Sequence, residues 1–317
     1  MIGYIIRRAL QAVLTCFIVT IITFALLHMT PNGTINLLVG SRNHNNPVVV
    51  ANVKARLGLD HPIVVQYLVW LGDMFKGNLG YDYIKNQPVT QLLEGTLGQT
   101  IFIVGLALVI TIALAVPIGV LQAVKRNTWI DHAFTSFSFV AYSVPTFFIG
   151  WLLLTYFEDD LAWIPAGNQI SSFHDAWSQP SQLILPVGTL VITTLANYTR
   201  YMRSAMLDQI TQDYVRTATA KGASRRRVLY GHVLRNALIP MTTLIGLSLP
   251  GLVSGSLIIE SVYNINGIGL LSTTAAQTGD TGIILSSTLL LAVITVIGSL
   301  VADISYAVLD PRVRLDS

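Results

Sequence analysis

Cationic side chains dominate one polar segment, residues 203–240, in a chain that is otherwise strongly apolar. Arg225, Arg226 and Arg227 are consecutive within it. A guanidinium group pairs with carboxylate or phosphate oxygens, so these residues suit ionic contact with a partner or with anionic lipid headgroups. They are predicted to lie in the first turn of a helix, where cations oppose the helix dipole, so local helix stability does not explain them. A basic loop that only fixes membrane topology is the alternative interpretation.

Two short helices are predicted to present these cations. Apolar residues recur at helical spacing on the first one: Leu207, Ile210, Tyr214 and Ala218. This spacing predicts one amphipathic helix. Lys221 would lie in its last turn with Gly222 just past its end, and Ser224 would cap the second helix. Gly222 is expected to permit the bend between the two, because glycine adopts backbone angles that are unfavourable for other residues.

The composition is that of an integral membrane protein. Hydrophobic residues make up 52% of the 317 residues, charged residues only 11%, and the mean hydropathy is +0.61. A soluble domain carries about 25% charged residues. Cys16 is the one cysteine, which excludes an intrachain disulfide and disfavours a thiol-based catalytic or metal site. The sequence contains no phosphate-binding glycine motif, so the chain is predicted not to be an enzyme by itself.

An all-α protein with six transmembrane helices is predicted. Six apolar runs have roughly the 17–25 residues that a bilayer crossing requires. They cover residues 9–29, 101–124, 133–157, 183–201, 238–259 and 282–309. The first run lacks a closing cleavage motif and is interpreted as an uncleaved anchor. We therefore divide the chain into a first segment at 1–29, an external cap region at 30–100 and a core domain at 101–317 that contains the loop 203–238.

Charge asymmetry orients these helices. With the N-terminus in the cytoplasm, most lysines and arginines lie on the cytoplasmic side, as the positive-inside rule requires. The cations left outside belong to one long loop: Arg42, Lys54, Arg56, Lys76 and Lys85. Both termini and the segment 203–240 are therefore predicted to be cytoplasmic.

A few residues at membrane depth are candidates for a translocation pathway. Ionisable residues within or at the ends of the predicted spans are His28, Glu260 and Asp303. Such residues are functional candidates by default. The favoured interpretations are nevertheless an interfacial position for His28, the anchoring of a re-entrant segment for Glu260 and a salt bridge with an arginine for Asp303. Pro145 interrupts an apolar run beside Tyr142 and Phe147. It predicts either a local bend or backbone groups that face a water-filled cavity.

Several separate stretches resemble one family. They are DYVRTATAKGASRRRVLYGHVLRNALIP at 213–240, SVPTFFIG at 143–150, RSAML at 203–207, ESVYNINGIG at 260–269, WLGDMFKGNLGYDY at 70–83 and LDPRVR at 309–314. In this order and spacing they closely resemble the permease subunits of bacterial type I ABC importers, in the branch for dipeptides, oligopeptides and nickel. The resemblance covers nearly the whole chain and implies the permease fold of that family.

By this resemblance, residues 203–238 form a cytoplasmic loop that couples the permease to an ATPase subunit. The general importer motif is Glu-Ala-Ala, three residues, Gly, nine residues, then Ile-x-Leu-Pro. Gly222 and Leu234 match it, whereas Arg216, His232 and Arg235 replace its glutamate, isoleucine and proline. No role of that glutamate is therefore carried over. The residues assigned to the loop are Tyr214, Arg216, Thr217, Ala218, Lys221, Gly222, Arg225, Arg226, Leu234 and Arg235.

The resemblance also implies partners and a location. They are a second homologous permease, two ATPase domains that bind ATP and magnesium, an external substrate-binding protein and the lipid of the bacterial inner membrane. The chain itself is expected to hold no cofactor and to bind no nucleic acid. The binding protein is expected to dock on residues 70–83 and 158–182.

Peptides are the expected substrate. A permease for nickel or another small solute is an alternative, which is disfavoured because the sequence has no internal cluster of His, Cys or Met to select a transition metal. An ATP-independent secondary transporter is an alternative of another class. It is disfavoured because the predicted spans carry so few ionisable residues.

Overall fold

The computed structural model describes residues 2–29, 35, 39, 46–56, 58–82, 85–161 and 178–309, without the side chains of some helical residues, Asp303 among them. Helices dominate this part of the chain, as predicted. The first half contains α1 (Ile2–Met29), α2 (Pro47–Arg56), α3 (Ile63–Phe75), α4 (Val89–Val124), α5 (Trp129–Ser143) and α6 (Thr146–Leu154). A short antiparallel hairpin pairs β1 (Tyr81–Asp82) with β2 (Gln87–Pro88) just before α4.

The second half begins with a 3-10 turn, Pro180–Leu183, that leads directly into the first helix of this half. Its helices are α7 (Ile184–Ile210), α8 (Asp213–Ala220), α9 (Arg225–Arg227), α10 (Leu234–Val262), α11 (Ile268–Thr278) and α12 (Thr281–Leu309). Two π-helical turns also occur, Thr155–Asp160 after α6 and Val228–Val233 between α9 and α10. The second joins α9 to α10 without a break in the helical backbone.

α4 and α7 pack against each other at the centre of the fold. Gly119 on α4 lies so close to α7 that a Cβ placed on it would come within 2.6 Å of the Cβ of Met202. Towards the other end of the pair, Ile103 on α4 and Leu190 on α7 are buried together with Ile259 of α10. Small residues allow such close approach, and helices in a membrane associate largely through this tight packing.

Within the described residues, three helical segments are long and apolar enough to cross a membrane: Ile6–His28, Val89–Val124 and Thr281–Val301. A bent pair of helices, α5 with the α6 segment, supplies a fourth apolar crossing if it is counted as one. α7 and α10 contain 27 and 29 residues, which is also long enough for a crossing, although the C-terminal part of α7 is polar. The chain is thus a multi-pass membrane protein, while the number of six spans and the cytoplasmic termini stay predictions.

The third predicted span, 133–157, is wrong as a single helix. The structure breaks it between Ser143 and Thr146, and the two pieces meet at 98°. Pro145 lacks the N–H that a continuous helix needs, and its ring pushes the preceding residue away from helical angles. Val144 accordingly has an extended backbone with ψ of 130°. The local bend predicted from Pro145 is therefore present and much larger than a kink.

The second predicted span, 101–124, is part of a longer helix. α4 starts at Val89 and continues without interruption to Val124, so position 100, the predicted end of the cap region, falls inside it. The other elements that the structure describes within the predicted cap region 30–100 are α2, α3 and the hairpin. Of the predicted docking loop 158–182, residues 162–177 lie outside the described part of the chain.

Candidate functional site

The polar loop between α7 and α10 contains two short helices and two turns. The prediction of one amphipathic helix through Leu207 and Ala218 is wrong, because α7 ends at Ile210 and α8 begins at Asp213. The hydroxyl of Thr211 donates to the carbonyl of Asp208 at 3.0 Å, and the amide of Gln212 donates to the same carbonyl at 3.2 Å. Such side-chain bonds to the backbone compete with helix continuation and end α7 there.

The turn after α8 has the predicted form. Gly222 has a φ of 82°, in the left-handed region that glycine adopts without steric penalty. The N–H of Ala223 donates to the carbonyl of Ala218 at 3.1 Å, which closes the helix C-terminus. The Oγ of Ser224 then accepts the N–H of Arg227 at 3.4 Å, so Ser224 caps α9 as predicted.

An apolar cluster connects this loop to the helices behind it. Met202 and Met206 of α7 are buried with Val228 and Val233, and Ala218 and Leu234 pack partly buried against them. A cavity of about 450 Å³ remains beside the cluster, lined by the C-terminal ends of α4 and α7 together with α8 and α9. The loop therefore rests on the body of the protein by apolar contact, with some space beneath it.

The outward face of the loop carries exposed cations. Arg216 and Asp213 approach to 3.7 Å, but both side chains are highly exposed, so this pair contributes little to stability. Across the residues that the structure covers, the guanidinium groups of Arg225, Arg226 and Arg227 form no ion pair. The further exposed side chains on this face are Lys221, Tyr230 and Arg235. The charge predicted for an external partner is therefore available at the surface.

Two predicted loop residues bond within the loop itself. The Tyr214 hydroxyl donates to the side-chain oxygen of Gln209 at 2.8 Å, across the break between α7 and α8. The Thr217 hydroxyl donates to the carbonyl of Asp213 at 3.0 Å. Both contacts hold the shape of the loop, and a contact of either residue with an ATPase stays a prediction.

An ion pair at the base of the loop was not predicted. Arg203 on α7 donates to both carboxylate oxygens of Asp131 on α5, through Nε and Nη2 at 2.7 Å each. Asp131 is only 2% exposed, and its Oδ2 also accepts the N–H of Asn127 at 3.0 Å. The available signal was positional, because Asp131 precedes one predicted span and Arg203 follows the next, which places both at the same membrane face.

At the opposite end of α10, a buried carboxylate holds a tight turn. Glu260 is fully buried, and its Oε2 accepts the N–H of Gly269 at 2.6 Å. The N–H of Ile268 donates to Oγ1 of Thr100 on α4 at 3.0 Å. A Cβ on Gly269 would collide with the backbone of Leu257. These contacts hold the turn after α10 in place, as the anchoring interpretation of Glu260 expects. Its place in a translocation pathway stays a prediction.

Tyr263 connects this turn to α6 and α7. Its hydroxyl donates to the carbonyl of Gly150 and lies 2.9 Å from the hydroxyl of Thr189. The other pathway candidates, Tyr142, Pro145 and Phe147, are exposed at the break between α5 and α6. The side chain of Asp303 lies outside the described residues, so its predicted salt bridge stays a prediction.

Comparison with known proteins places this geometry in context. Residues 115–315 match the family described as the binding-protein-dependent transport system inner membrane component, and residues 1–104 match its N-terminal region. A putative peptide permease protein of Brucella suis is 37% identical over 99% of this chain and 100% of its own length. The oligopeptide transport system permease proteins AppB of Bacillus subtilis and OppB of Haemophilus influenzae are 34% and 32% identical, each over 99% of this chain and 100% of their own length.

Proposed function

Because the chain belongs to the family of binding-protein-dependent transport system inner membrane components, we propose that it forms half of the pathway of an ATP-driven peptide importer. Relatives named as peptide or oligopeptide permeases support the substrate class, since they match this chain from end to end. The partner subunits are a second homologous permease, two ATPase domains and an external binding protein. The complex lies in the bacterial inner membrane, and this chain crosses it six times with both of its termini in the cytoplasm.

The loop from Thr211 to Arg235 transmits the state of an ATPase subunit to the spans. The observation that carries this proposal is the form of the loop, two short helices joined at the left-handed Gly222 with exposed cations on the outward face. Acidic groups on an ATPase would complement these cations. The inward face packs against α7 and α10, so a displacement of the loop reaches the membrane helices. ATP and magnesium are bound by the partner subunits, and the chain itself holds no cofactor.

Substitutions at Gly222 test this coupling. A Cβ at this position would meet no atom of the described chain within 4 Å, so a side chain here enters open space that an ATPase would fill. The left-handed backbone costs valine at least about 1–2 kcal/mol, whereas asparagine tolerates it. We expect Gly222→Val to lower peptide uptake about tenfold in proteoliposomes that hold the whole transporter. Gly222→Asn should lower it less.

The control is Ala220→Asn, which adds the same side chain as Gly222→Asn at an exposed position, the last residue of α8. It should leave uptake near the wild-type rate. Each variant is first shown by co-purification to retain the second permease and the ATPase subunits. Wild-type uptake by an intact Gly222→Val complex would exclude coupling through this turn. Uptake that persists without ATP or ATPase subunits would instead identify an autonomous transporter.

A further inference from the structure

Helix α3 presents a continuous apolar face that no other part of the described chain covers. None of its 13 residues is buried. Val64, Leu68 and Phe75 lie on one side of the helix at helical spacing and are 64%, 58% and 79% exposed. A helix whose free face meets water carries polar residues on that face. The free face of α3 is therefore made for an apolar environment.

Two polar side chains of α3, those of Gln66 and Tyr67, bond to α1. The Oε1 of Gln66 lies 2.9 Å from Nε2 of His28, and its amide donates to the carbonyl of His61 at 2.7 Å. The Tyr67 hydroxyl lies 2.9 Å from the hydroxyl of Thr20. These contacts satisfy the polar side chains without water. That is the arrangement expected where no water is present to bond them.

The contacts also reach well inside the apolar part of α1. The membrane-crossing segment of α1 ends at His28, and Thr20 lies two turns before that end. At about 1.5 Å per residue, Tyr67 therefore bonds to α1 about 12 Å below the end of the crossing segment. Phe24 lies between these points, with its ring centroid 5.3 Å from that of Tyr67 and 5.9 Å from that of Trp70. Aromatic rings of this kind concentrate at membrane–water boundaries.

α1, which contacts α3, also has an exposed apolar face. α1 packs on one side against α12, while a run of large apolar side chains on its other sides is exposed: Leu10, Val13, Leu14, Ile18, Ile22 and Leu26. In a multi-pass membrane protein such a surface meets lipid. A helix of 13 residues is only about 20 Å long, too short for the hydrocarbon core of about 30 Å. It suits an interfacial position, not a crossing.

We propose that α3 lies in one leaflet of the membrane, at the end of α1 that carries His28, with Val64, Leu68 and Phe75 inserted among lipid acyl chains. Polar residues limit the inserted length at both ends, Asp60 and His61 before the helix and the Asp73–Lys76 pair near its end. A transient docking surface for a protein is a poorer fit, because this face would be exposed to water whenever the partner left. The helix thus binds lipid beside the first span.

Spin labels can locate this face, because the sequence allows a simple cysteine-free background. Cys16 is the one cysteine of this chain, so Cys16→Ser removes its native thiol, and the partner subunits are prepared in cysteine-free form. Val64→Cys, Leu68→Cys and Phe75→Cys are then labelled one at a time in the intact transporter in lipid nanodiscs. Collision rates with oxygen, which concentrates in lipid, are compared with those of a water-soluble nickel chelate. Lys76→Cys, whose native side chain is 78% exposed, is the matched aqueous control.

We expect the collision rate with oxygen to exceed that with the nickel chelate several-fold at the three apolar positions. At Lys76 we expect the collision rate with the nickel chelate to be the higher one. A higher nickel accessibility at Leu68 would place the face in water and overturn the proposal. Low accessibility to both reagents would place it under another protein, and would overturn it equally. If Leu68→Cys prevents assembly, the decision is taken at Val64 and Phe75. None of these readings depends on peptide uptake, so they are separate from the test of the transport proposal.

Discussion

The helical segment that runs from α9 through α10 ends in two very different structures. At the loop end, around Gly222 and Arg203, cations are exposed and the buried aspartate has an arginine partner. At the turn end, from Glu260 to Ile283, buried acids have backbone N–H groups as their hydrogen-bond donors. The loop end exposes its charged side chains at the surface of the chain. The turn end is shaped by contacts within the chain.

The turn end has a second buried acid that differs sharply from Asp131. Asp280 precedes α12 and accepts the N–H of Ile283 at 3.1 Å, which caps the helix. It is 2% exposed, and burial raises the pKa of its carboxyl, with the nearby Asp82 carboxylate adding to the increase. Asp131 forms an ion pair with Arg203, whereas Asp280 forms no ion pair within the described residues. The two ends should therefore respond differently to loss of a partner, to added bulk and to pH.

The largest effect is expected at the loop end, from removal of the arginine. Arg203→Ala leaves the carboxylate of Asp131 buried without its cation, which costs on the order of 3 kcal/mol of unfolding free energy. A double variant with Asp131→Asn as well should recover most of this loss. The measurement is the midpoint of thermal unfolding of the purified complex. An unchanged midpoint for Arg203→Ala would show that the pair does not stabilise the loop end, and the contrast with the turn end would fail.

A smaller effect is expected from the same glycine substitution made at each end. Gly269→Ala drives a Cβ into the backbone of Leu257 and should lower the unfolding free energy by about 1–3 kcal/mol. Gly231→Ala, in the π-helical turn at the loop end, meets only a side-chain atom of Arg227 at 4.0 Å. It should be neutral or stabilising, because alanine favours helix over glycine. Equal losses at both positions would contradict the idea that only the turn end is closely packed.

The smallest effect is a pH dependence confined to the turn end. Because the folded state raises the pKa of Asp280, it binds this proton more tightly than the unfolded chain does. The stabilising contribution is complete below the usual carboxyl pKa of about 4 and is lost as pH rises through the raised value. Asp280→Asn keeps an acceptor for the cap and removes the charge. At pH 8 the variant should have a larger free energy of unfolding than the wild type, by roughly 1 kcal/mol for each unit by which the pKa of Asp280 is raised. It should therefore unfold at a higher temperature.

The matched comparison for pH is the same pair of proteins under acid conditions. Near pH 4 the two midpoints should converge, since Asp280 is then protonated in the wild type. Parallel pH profiles at all values would show that Asp280 does not titrate over this range in the folded protein. The variant Asp280→Ala, which loses the acceptor as well, separates the effect of the charge from that of the helix cap.

The sequence predicted those features that depend on neighbouring residues. The turn at Gly222 and the cap at Ser224 follow from local backbone preferences, and both are present. Helices also occupy each predicted apolar run within the described residues. Composition alone was enough to establish a membrane protein. For these features the tertiary structure adds little to what a few consecutive residues already determine.

Features that depend on distant or competing contacts were not predictable in the same way. Thr211 and Gln212 end α7 through bonds to Asp208, although the apolar spacing continues past them. Pro145 predicted a local bend, but an angle of 98° depends on what α5 and α6 pack against. Asp131 and Arg203 are 72 positions apart, and only the packed helices show that they meet. The sequence could place them at one face but could not pair them.

The unbroken helical backbone from Arg225 to Val262 has a mechanical consequence. At about 1.5 Å per residue it is about 55 Å long, and it joins the exposed arginines at one end to the Glu260 turn at the other. A tilt of about 10° about one end would displace the opposite end by roughly 10 Å over that length. Under the proposed coupling, a small rotation of this helix therefore suffices for a displacement comparable to the width of a peptide chain.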